Sequence, residues 1–254
     1  MPSFKIILSP SKTLRPLLAD SNSLYTIPSF LNMSVEIVNA IKGLDIDELQ
    51  KLLKVNRKLA EQNFIRYQQW NLPFSVQNSV QAIFAFSGEV YSGLNSKDFT
   101  SEELTYAQQH ISILSGLYGI LRSLDLMQPY RLEMGSPFRL PDGKSLYNFW
   151  SNVVSKELKE ELGTGGIMVN LASLEYSKVI SSRIGINTVN IEFRENRPDG
   201  FKIIPILAKR ARGLMTRFAV KQRIANPEEL KLFDYEGYTY ADNMSEENKW
   251  VFIR

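Results

Sequence analysis

Apolar residues in this chain fall into short runs that are separated by longer stretches of helical periodicity. Two apolar runs, Phe4–Leu8 and Ile167–Ala172, have the length of buried strands, and Thr188–Phe193 alternates as a half-buried strand does. Phe201–Leu207 is predicted to be another strand, and the turn Asn196–Gly200 before it predicts a hairpin. Terminal strands are predicted at Tyr238–Tyr240 and Trp250–Ile253. Strands mixed with helices predict a mixed α/β fold of the α+β type, with a central sheet and surrounding helices.

Helical periodicity covers the intervening regions. From about residue 29 to residue 86, apolar positions recur three and four apart. Ser101–Leu114 and Ile120–Leu126 are also expected to be helices, joined by a tight turn from Gly116 to Gly119. Such a turn is typical of a helix-hairpin-helix, whose backbone amides hold a DNA phosphate without reading sequence. An ordinary αα-hairpin is the alternative, because the usual motif has one residue between its glycines and this turn has two.

A basic amphipathic helix is predicted near the end of the chain. Phe201–Ile224 contains seven Lys or Arg residues and no Asp or Glu. On a helical wheel of about 100° per residue from Leu207 onward, the apolar residues collect on one side. The opposite half carries the cations Lys209, Arg210, Arg212, Arg217, Lys221 and Arg223. Unneutralised cations repel each other, so this face predicts a DNA partner, with Arg122 as a further contact. The alternative is a solvated helix whose acidic partners come from elsewhere in the fold.

Composition narrows the chemistry. The chain has 254 residues and a net charge of only +3, so any nucleic-acid affinity must come from locally concentrated charge. It has no cysteine, which excludes thiol peroxidase chemistry and fits a reducing compartment. A single histidine and the lack of a recognisable carboxylate spacing argue against a metal site, and no cofactor is expected. We expect a cytoplasmic protein without membrane contacts, because signal-peptide and membrane-spanning patterns are missing. The oligomeric state stays open.

Polar residues beside the predicted strands and glycines form a second group of candidates. Lys12 follows the first strand, and ligand groups commonly lie just beyond strand ends in α/β folds. The full set of pocket candidates is Lys12, Glu89, Tyr91, Arg131, Glu133, Asn170, Ser173 and Glu175. Ordinary turns, solvated loops and surface ion pairs explain each of these residues singly. Together they predict a pocket for a nucleobase or nucleotide.

Several motifs together resemble the YaaA family, the bacterial peroxide stress resistance proteins. The matching stretches are SPSKT from Ser9, GEVYSGL from Gly88, LSGLYGILRSLDLMQPYRLEMG from Leu114, LYNFW from Leu146, NLAS from Asn170 and AKRARGLMTRF from Ala208. They follow the family order over nearly the whole chain. The resemblance implies a single α/β domain over residues 1–254 with a helix-hairpin-helix and a basic, DNA-binding cleft. It also implies protection of the cell against hydrogen peroxide and excess intracellular iron.

Three positions depart from the family pattern. Ser87 stands where we expect a lysine, Leu174 where we expect an aspartate, and Ser123 where a proline is common. The first departure removes a cation from the DNA surface that the resemblance implies. The second removes an acid from the strand-end group of pocket candidates.

The expected function is therefore a sequence-tolerant DNA-binding protein of the peroxide response, which contacts phosphates and need not be an enzyme. The alternative is an enzyme that acts on a nucleobase or nucleotide with the pocket candidates. The two hypotheses differ in what the structure must contain. A DNA-binding protein requires a free basic face, whereas an enzyme requires the polar candidates to meet around one cavity.

Overall fold

A mainly parallel sheet forms the centre of the fold. The computed structural model of the protein describes residues 4–15 and 24–254. Within them the strands are β1 (Phe4–Leu8), β2 (Val80–Gln81), β3 (Ile111–Ser115), β4 (Gly119–Arg122), β5 (Leu126–Met127), β6 (Ile167–Asn170), β7 (Asn187–Arg197), β8 (Gly200–Lys202), β9 (Thr239–Tyr240) and β10 (Lys249–Ile253). The main sheet has the order β4-β3-β1-β6-β7-β10-β9, and β8 pairs with β7 beside this path. In this order, the neighbouring pairs β3–β1, β1–β6, β6–β7 and β7–β10 are parallel. The two edge strands, β4 and β9, are antiparallel to their neighbours.

Helices cover the sheet and complete the core. They are α1 (Leu31–Lys42), α2 (Ile46–Leu53), α3 (Arg57–Gln69), α4 (Ala82–Ala85), α5 (Glu89–Leu94), α6 (Ser101–His110), α7 (Leu146–Leu162), α8 (Leu174–Ser177) and α9 (Pro205–Gln222). Buried apolar side chains of α1, α7 and α9 join those of the sheet in one continuous cluster. The predicted mixed α/β class is thus confirmed. In the described part of the chain, no helix combines the length and the apolar character needed to cross a bilayer.

The predicted helix-hairpin-helix is wrong, because the end of its first helix and the start of its second helix form a β-hairpin instead. Helix α6 ends at His110, and Ile111–Ser115 continues as β3, which is buried at every position. This strand pairs in parallel with β1 and antiparallel with β4. A short apolar run satisfies the pattern of a buried strand as well as that of a helix, and pairing on both edges decides in favour of the strand.

The predicted strand Phe201–Leu207 is shorter than expected, because β8 ends at Lys202. Pro205 occupies the first turn of α9, where its fixed φ angle and missing N–H favour a helix start. The hairpin prediction at Asn196–Gly200 is confirmed by the antiparallel pairing of β7 with β8. In the GEVYSGL motif, Glu89–Leu94 forms the short helix α5, and the positive φ of +105° at Gly88 explains the glycine that precedes this helix.

Candidate functional site

A cleft opens at the edge of the sheet where the adjacent parallel strands β1 and β6 end. Ser9 follows β1, and Ser173 lies shortly after β6. The backbone N–H of Ser173 donates to Ser9 Oγ at 2.8 Å, and the Ser9 hydroxyl donates to Ser173 Oγ at 3.2 Å. The hydroxyl of buried Tyr91 donates to the Ser9 carbonyl oxygen at 2.9 Å. These hydrogen bonds hold the two strand ends and α5 in one arrangement.

Helices α5 and α9 cross in close backbone contact beside these strand ends. A Cβ atom on Gly93 would collide with a carbonyl oxygen of α9, and one on Gly213 would collide with a carbonyl oxygen of α5. Glycine is therefore required at both positions of the crossing. The crossing brings Lys209 and Arg212 of α9 to the cavity that Glu89 of α5 also lines.

The cavity has a volume of about 300 Å³. Its polar lining comes from four separate segments: Ser9, Ser11 and Lys12; Ser87, Glu89 and Tyr91; Ser173, Glu175 and Tyr176; and Lys209 and Arg212. Five of the pocket candidates predicted from the sequence thus meet around one concavity: Lys12, Glu89, Tyr91, Ser173 and Glu175. The structure therefore contains the juxtaposition that the enzyme hypothesis requires.

Two further predicted residues, Arg131 and Glu133, line a small recess that shares Lys12 and Tyr176 with the cavity. Glu133 Oε1 lies 3.3 Å from Lys12 Nζ and 3.4 Å from Arg131 Nη2. The Glu133 side chain is only 14% exposed, whereas Lys12 is 65% exposed. Arg131 Nε is buried and has no hydrogen-bond partner among the described residues. Glu133 is thus a largely buried carboxylate between two cations.

Glu175 and Tyr176 of α8, which follows β6 in the chain, complete the lining of the cleft. Glu175 is exposed, and its Oε1 accepts a hydrogen bond from the backbone N–H of Gly135 at 3.2 Å. The hydroxyl of Tyr147 donates to the Glu175 carbonyl oxygen at 2.7 Å. Burial raises the pKa of Tyr176 and of Tyr91 above the ordinary tyrosine value. Both phenols therefore stay neutral at physiological pH and act as hydrogen-bonding groups rather than as bases.

Asn170 is the one pocket candidate that lies outside the cleft. Its amide donates to Asn190 Oδ1 at 2.8 Å, and its Oδ1 accepts from the Ala172 backbone at 3.0 Å. Both residues border a different depression, on the side of β7. Because successive side chains of a strand point to opposite faces, nearness to a strand end does not fix the direction of the side chain. The assignment of Asn170 to the pocket was wrong.

The glycine turn predicted to hold DNA is buried. Gly116 lies against the backbone of Leu132, and its carbonyl oxygen accepts a hydrogen bond from Trp150 Nε1 at 3.0 Å. Gly119 lies against the Trp150 ring. Neither glycine can reach a phosphate without opening the core, so both were wrongly assigned to a DNA surface. Arg122 Nη2 lies 2.9 Å from a carboxylate oxygen of buried Asp125. The charge of Arg122 is therefore paired within the fold.

Most of the basic residues of α9 are neutralised by acids from other segments. Arg210 Nη2 lies 2.6 Å from Glu236, and Arg217 Nη2 lies 2.6 Å from Asp98. Lys221 Nζ lies 2.8 Å from Glu103 and 3.6 Å from Asp98. Lys209 and Arg223 are exposed, and Arg212 is half-buried on the cavity wall. The expected face of unneutralised cations is therefore reduced to a few members, and for the others the solvated-helix alternative describes the structure better.

Sequence reasoning did not single out Ser9, although it hydrogen-bonds to the other strand end. Its position could have indicated a role in the site, because Ser9 is the first residue after the apolar strand β1, where ligand groups commonly lie. Of the positions that depart from the family pattern, Ser87 lines the cavity, and Leu174 is exposed at the start of α8. Ser123 is buried, and its hydroxyl donates to the Ala107 carbonyl oxygen at 2.9 Å.

A second depression, of about 360 Å³, lies at the amino ends of β6 and β7. Its lining includes four glycines, and its charged residues are Lys159 and Glu160. It brings together fewer groups that can do chemistry than the cleft does. Among the described residues, no three His, Asp or Glu side chains are grouped as ligands of a metal ion. The cleft is therefore the better candidate site, with carboxylates that accept protons or hydrogen bonds and cations that attract anions.

Fold and site together define a mixed α/β protein with a polar, cation-bearing cleft at the carboxyl edge of a mainly parallel sheet. A family sequence model described as "Peroxide stress protein YaaA" matches residues 4–244, and the chain belongs to this family. Similar curated proteins include a UPF0246 protein of Dechloromonas aromatica, which is 42% identical over 252 residues and 98% of each chain. A UPF0246 protein of Shewanella amazonensis is 43% identical over 252 residues and 98% of each chain. One of Acaryochloris marina is 41% identical over 254 residues, covering 98% of this chain and 99% of the relative.

Proposed function

We propose that this chain serves the peroxide stress response through its cleft, which binds and acts on a nucleotide-like small molecule. The role in peroxide stress follows the description of the family. The observation that carries the proposal is the convergence of polar residues from separate segments on one cavity of about 300 Å³. A purely structural role does not explain why cations, carboxylates and hydroxyls meet there around open space. Such convergence is what a small-molecule site requires.

The chemistry of the lining favours a nucleotide-like ligand. Nucleobase edges carry both hydrogen-bond donors and acceptors, and the cleft offers hydroxyls at Ser9 and Ser173 and a carboxylate at Glu175. The phosphate of a nucleotide is an anion, for which Lys209 and Arg212 are suitable partners. A volume of about 300 Å³ is at the lower end of typical ligand pockets, of the order of 300–1,000 Å³.

Glu133 is the best candidate for a catalytic residue. Its carboxylate lies within 3.4 Å of two cations, Lys12 and Arg131, and the side chain is largely shielded from water. A carboxylate in such a recess can accept a proton from a ligand that enters the cavity, while the two cations stabilise the negative charge that a reaction develops. The recess therefore provides a proton acceptor and electrostatic stabilisation side by side.

The test is to measure binding of a panel of nucleobases, nucleosides and nucleotides by calorimetry, and then to search the mixtures for products by mass spectrometry. Wild-type protein should bind at least one compound and convert it. Glu133→Gln should abolish conversion, whereas Glu160→Gln, at a 65% exposed position on α7, should behave as the wild type. If no compound binds, or if Glu133→Gln turns over as fast as Glu160→Gln, this proposal is wrong.

DNA binding is a second candidate function, and exposed cations at the cleft favour it. Lys12 and Lys209 are both exposed and both line the cavity. A strand that crosses the cleft would meet them, and one of its nucleotides could then occupy the cavity. If Lys209 contacts a phosphate, Lys209→Gln should make the dependence of log affinity on log salt shallower by about 0.9 for duplex DNA. Arg217→Gln should leave this slope unchanged, and an unchanged slope in Lys209→Gln and Lys12→Gln would exclude DNA phosphate contacts by these two lysines.

A further inference from the structure

Arg212 differs from the other arginines in the middle of its helix. Arg210 and Arg217 of α9 each pair with a carboxylate, Glu236 and Asp98 respectively, at 2.6 Å. For Arg212 no ion pair with a described residue is within 4.0 Å, and its Nε is buried without a hydrogen-bond partner among those residues. The helix thus neutralises two of its three central arginines and leaves the one that borders the cavity uncompensated.

The surroundings of Arg212 make an uncompensated charge costly. Burial lowers the pKa of Arg212 from its ordinary value, because desolvation disfavours the charged form. The guanidinium nevertheless stays charged at physiological pH. A partly buried charge without a counterion opposes folding, whereas an anion bound beside it offsets that cost. The position of this charge on the cavity wall therefore favours an anionic ligand.

Lys209 extends the same positive region. It lies three residues before Arg212, so the two side chains emerge from neighbouring turns on one side of α9, and both line the cavity. The backbone contact of α9 with α5 at Gly93 and Gly213 holds this stretch of helix in place. Ser11 and Ser87 add hydroxyl groups to the lining. A planar guanidinium, an ammonium and hydroxyls together suit the several oxygens of a phosphate group.

We propose that Arg212, together with Lys209, forms a phosphate-binding subsite of the cleft, so that the ligand is a nucleotide rather than a free base or a nucleoside. This inference deepens the proposed function and rests on it for the identity of the rest of the ligand. The phosphate group lies against α9. The base and sugar then extend toward Ser9, Ser173 and Glu175, which line the same cavity.

The test compares three probes: inorganic phosphate, a nucleoside and its 5′-monophosphate. Phosphate should raise the melting temperature of the wild type above that in sodium chloride of equal ionic strength. The monophosphate should bind at least about 10-fold more tightly than the nucleoside, because one charge-assisted hydrogen bond strengthens binding by about 10-fold or more. Arg212→Gln should remove both effects.

A matched control is Arg183→Gln, which removes the same charge from an exposed position outside the cavity. It should keep both phosphate effects. Arg212→Lys keeps the charge but loses the planar guanidinium, so it should bind phosphate with an affinity between those of the wild type and Arg212→Gln. It replaces Arg212→Gln in the test if that variant does not fold.

The outcomes separate the two proposals. Phosphate stabilisation that depends on Arg212 supports the subsite even if no nucleoside in the panel binds, which would count only against the proposed function. Nucleoside binding without any advantage for the monophosphate overturns the subsite and leaves the proposed function standing. Equal phosphate stabilisation of wild type, Arg212→Gln and Arg183→Gln also overturns the subsite.

Discussion

The ion pair between Arg217 and Asp98 gives a quantitative test of whether the basic face of α9 is structural. The Arg217 guanidinium donates to both carboxylate oxygens of Asp98, at 2.8 and 2.6 Å, and to the carbonyl oxygens of Leu94 and Asn95 at 3.3 and 2.9 Å. The Arg217 side chain is 19% exposed. These bonds connect α9 to the last residue of α5 and to the segment that follows it, so they contribute to the helix contact that also positions the cleft.

We expect Arg217→Gln to lower the free energy of unfolding by about 1–2 kcal/mol. Hydrogen bonds to charged groups contribute about 1.5–3 kcal/mol when they are well shielded. Asp98 is 50% exposed, so solvent screening reduces the contribution of the ion pair toward the 0–1 kcal/mol that is typical of surface pairs. The hydrogen bonds to the two backbone carbonyls add to this amount. For a chain of this size, 1 kcal/mol corresponds to a shift of about 2–4 °C in Tm.

The contribution should also depend on pH. The hydrogen bond from Arg217 lowers the pKa of Asp98 below its ordinary value. A depressed folded-state pKa means that the stabilisation is present above the unfolded-state pKa of about 3.9 and is lost as pH falls through the folded-state value. The difference in stability between wild type and Arg217→Gln should therefore be constant from pH 5 to pH 7 and decrease below about pH 4.

The assay is urea unfolding of wild type, Arg217→Gln and Arg183→Gln at pH 7, 5 and 3.5, with DNA affinity measured at two salt concentrations. Arg183→Gln removes an exposed arginine and should change stability by less than about 0.5 kcal/mol. The reasoning is refuted if Arg217→Gln is as stable as Arg183→Gln while its DNA affinity falls and its salt dependence becomes shallower. That result would return Arg217 to a nucleic-acid surface.

Two other changes test the packing and the single histidine. Gly213→Ala should lower the free energy of unfolding by at least about 2 kcal/mol, seen as a lower urea midpoint, because the added Cβ would collide with the Val90 carbonyl oxygen. Gly43→Ala, where φ is −75° and a Cβ has ordinary space, should be neutral or stabilising by up to about 1 kcal/mol, and equal effects of the two variants would contradict the close helix contact. His110 stacks on Tyr106 at 4.1 Å, and burial lowers its pKa, so stability should fall as pH decreases from about 6.5 through the folded-state value. His110→Gln should flatten this part of the stability profile, and an unchanged profile would show that another group titrates there.

Part of the cleft could be predicted from the sequence, because the rules of parallel sheets are local and general. Apolar runs identified β1 and β6, and their carboxyl ends were expected to carry ligand groups. The structure places Ser9 and Ser173 there, within hydrogen-bond distance of each other. The direction of each side chain was not predictable in the same way. Asn170 is at the end of β6 but turns toward Asn190, because the strand faces alternate.

The β3–β4 hairpin could not be derived from local pattern alone. Ile111–Ser115 follows a real helix without a proline or glycine to end it, so continuing the helix was consistent with the residues. What decides its conformation is the neighbouring strand β1, which lies more than 100 residues earlier in the chain and pairs with Ile111, Ser112 and Ile113. The glycines after it then serve close packing against Trp150 and Leu132 rather than a phosphate contact.

The charges of α9 show most clearly where sequence reasoning reaches its limit. A helical wheel places Arg212 and Arg217 in the same half, and nothing nearby in the sequence distinguishes them. The acid that neutralises Arg217 is Asp98, which lies 119 residues away in the chain, and the corresponding position beside Arg212 is an open cavity. Whether an arginine of α9 has an acidic partner is thus decided by the tertiary structure, and the helical wheel alone does not show which of its cations are free to bind an anion. The number of cations on the face predicts a broad polyanion surface, whereas Arg212, which has no carboxylate partner among the described residues, is the basis of our proposal that the cleft takes a small, localised anion.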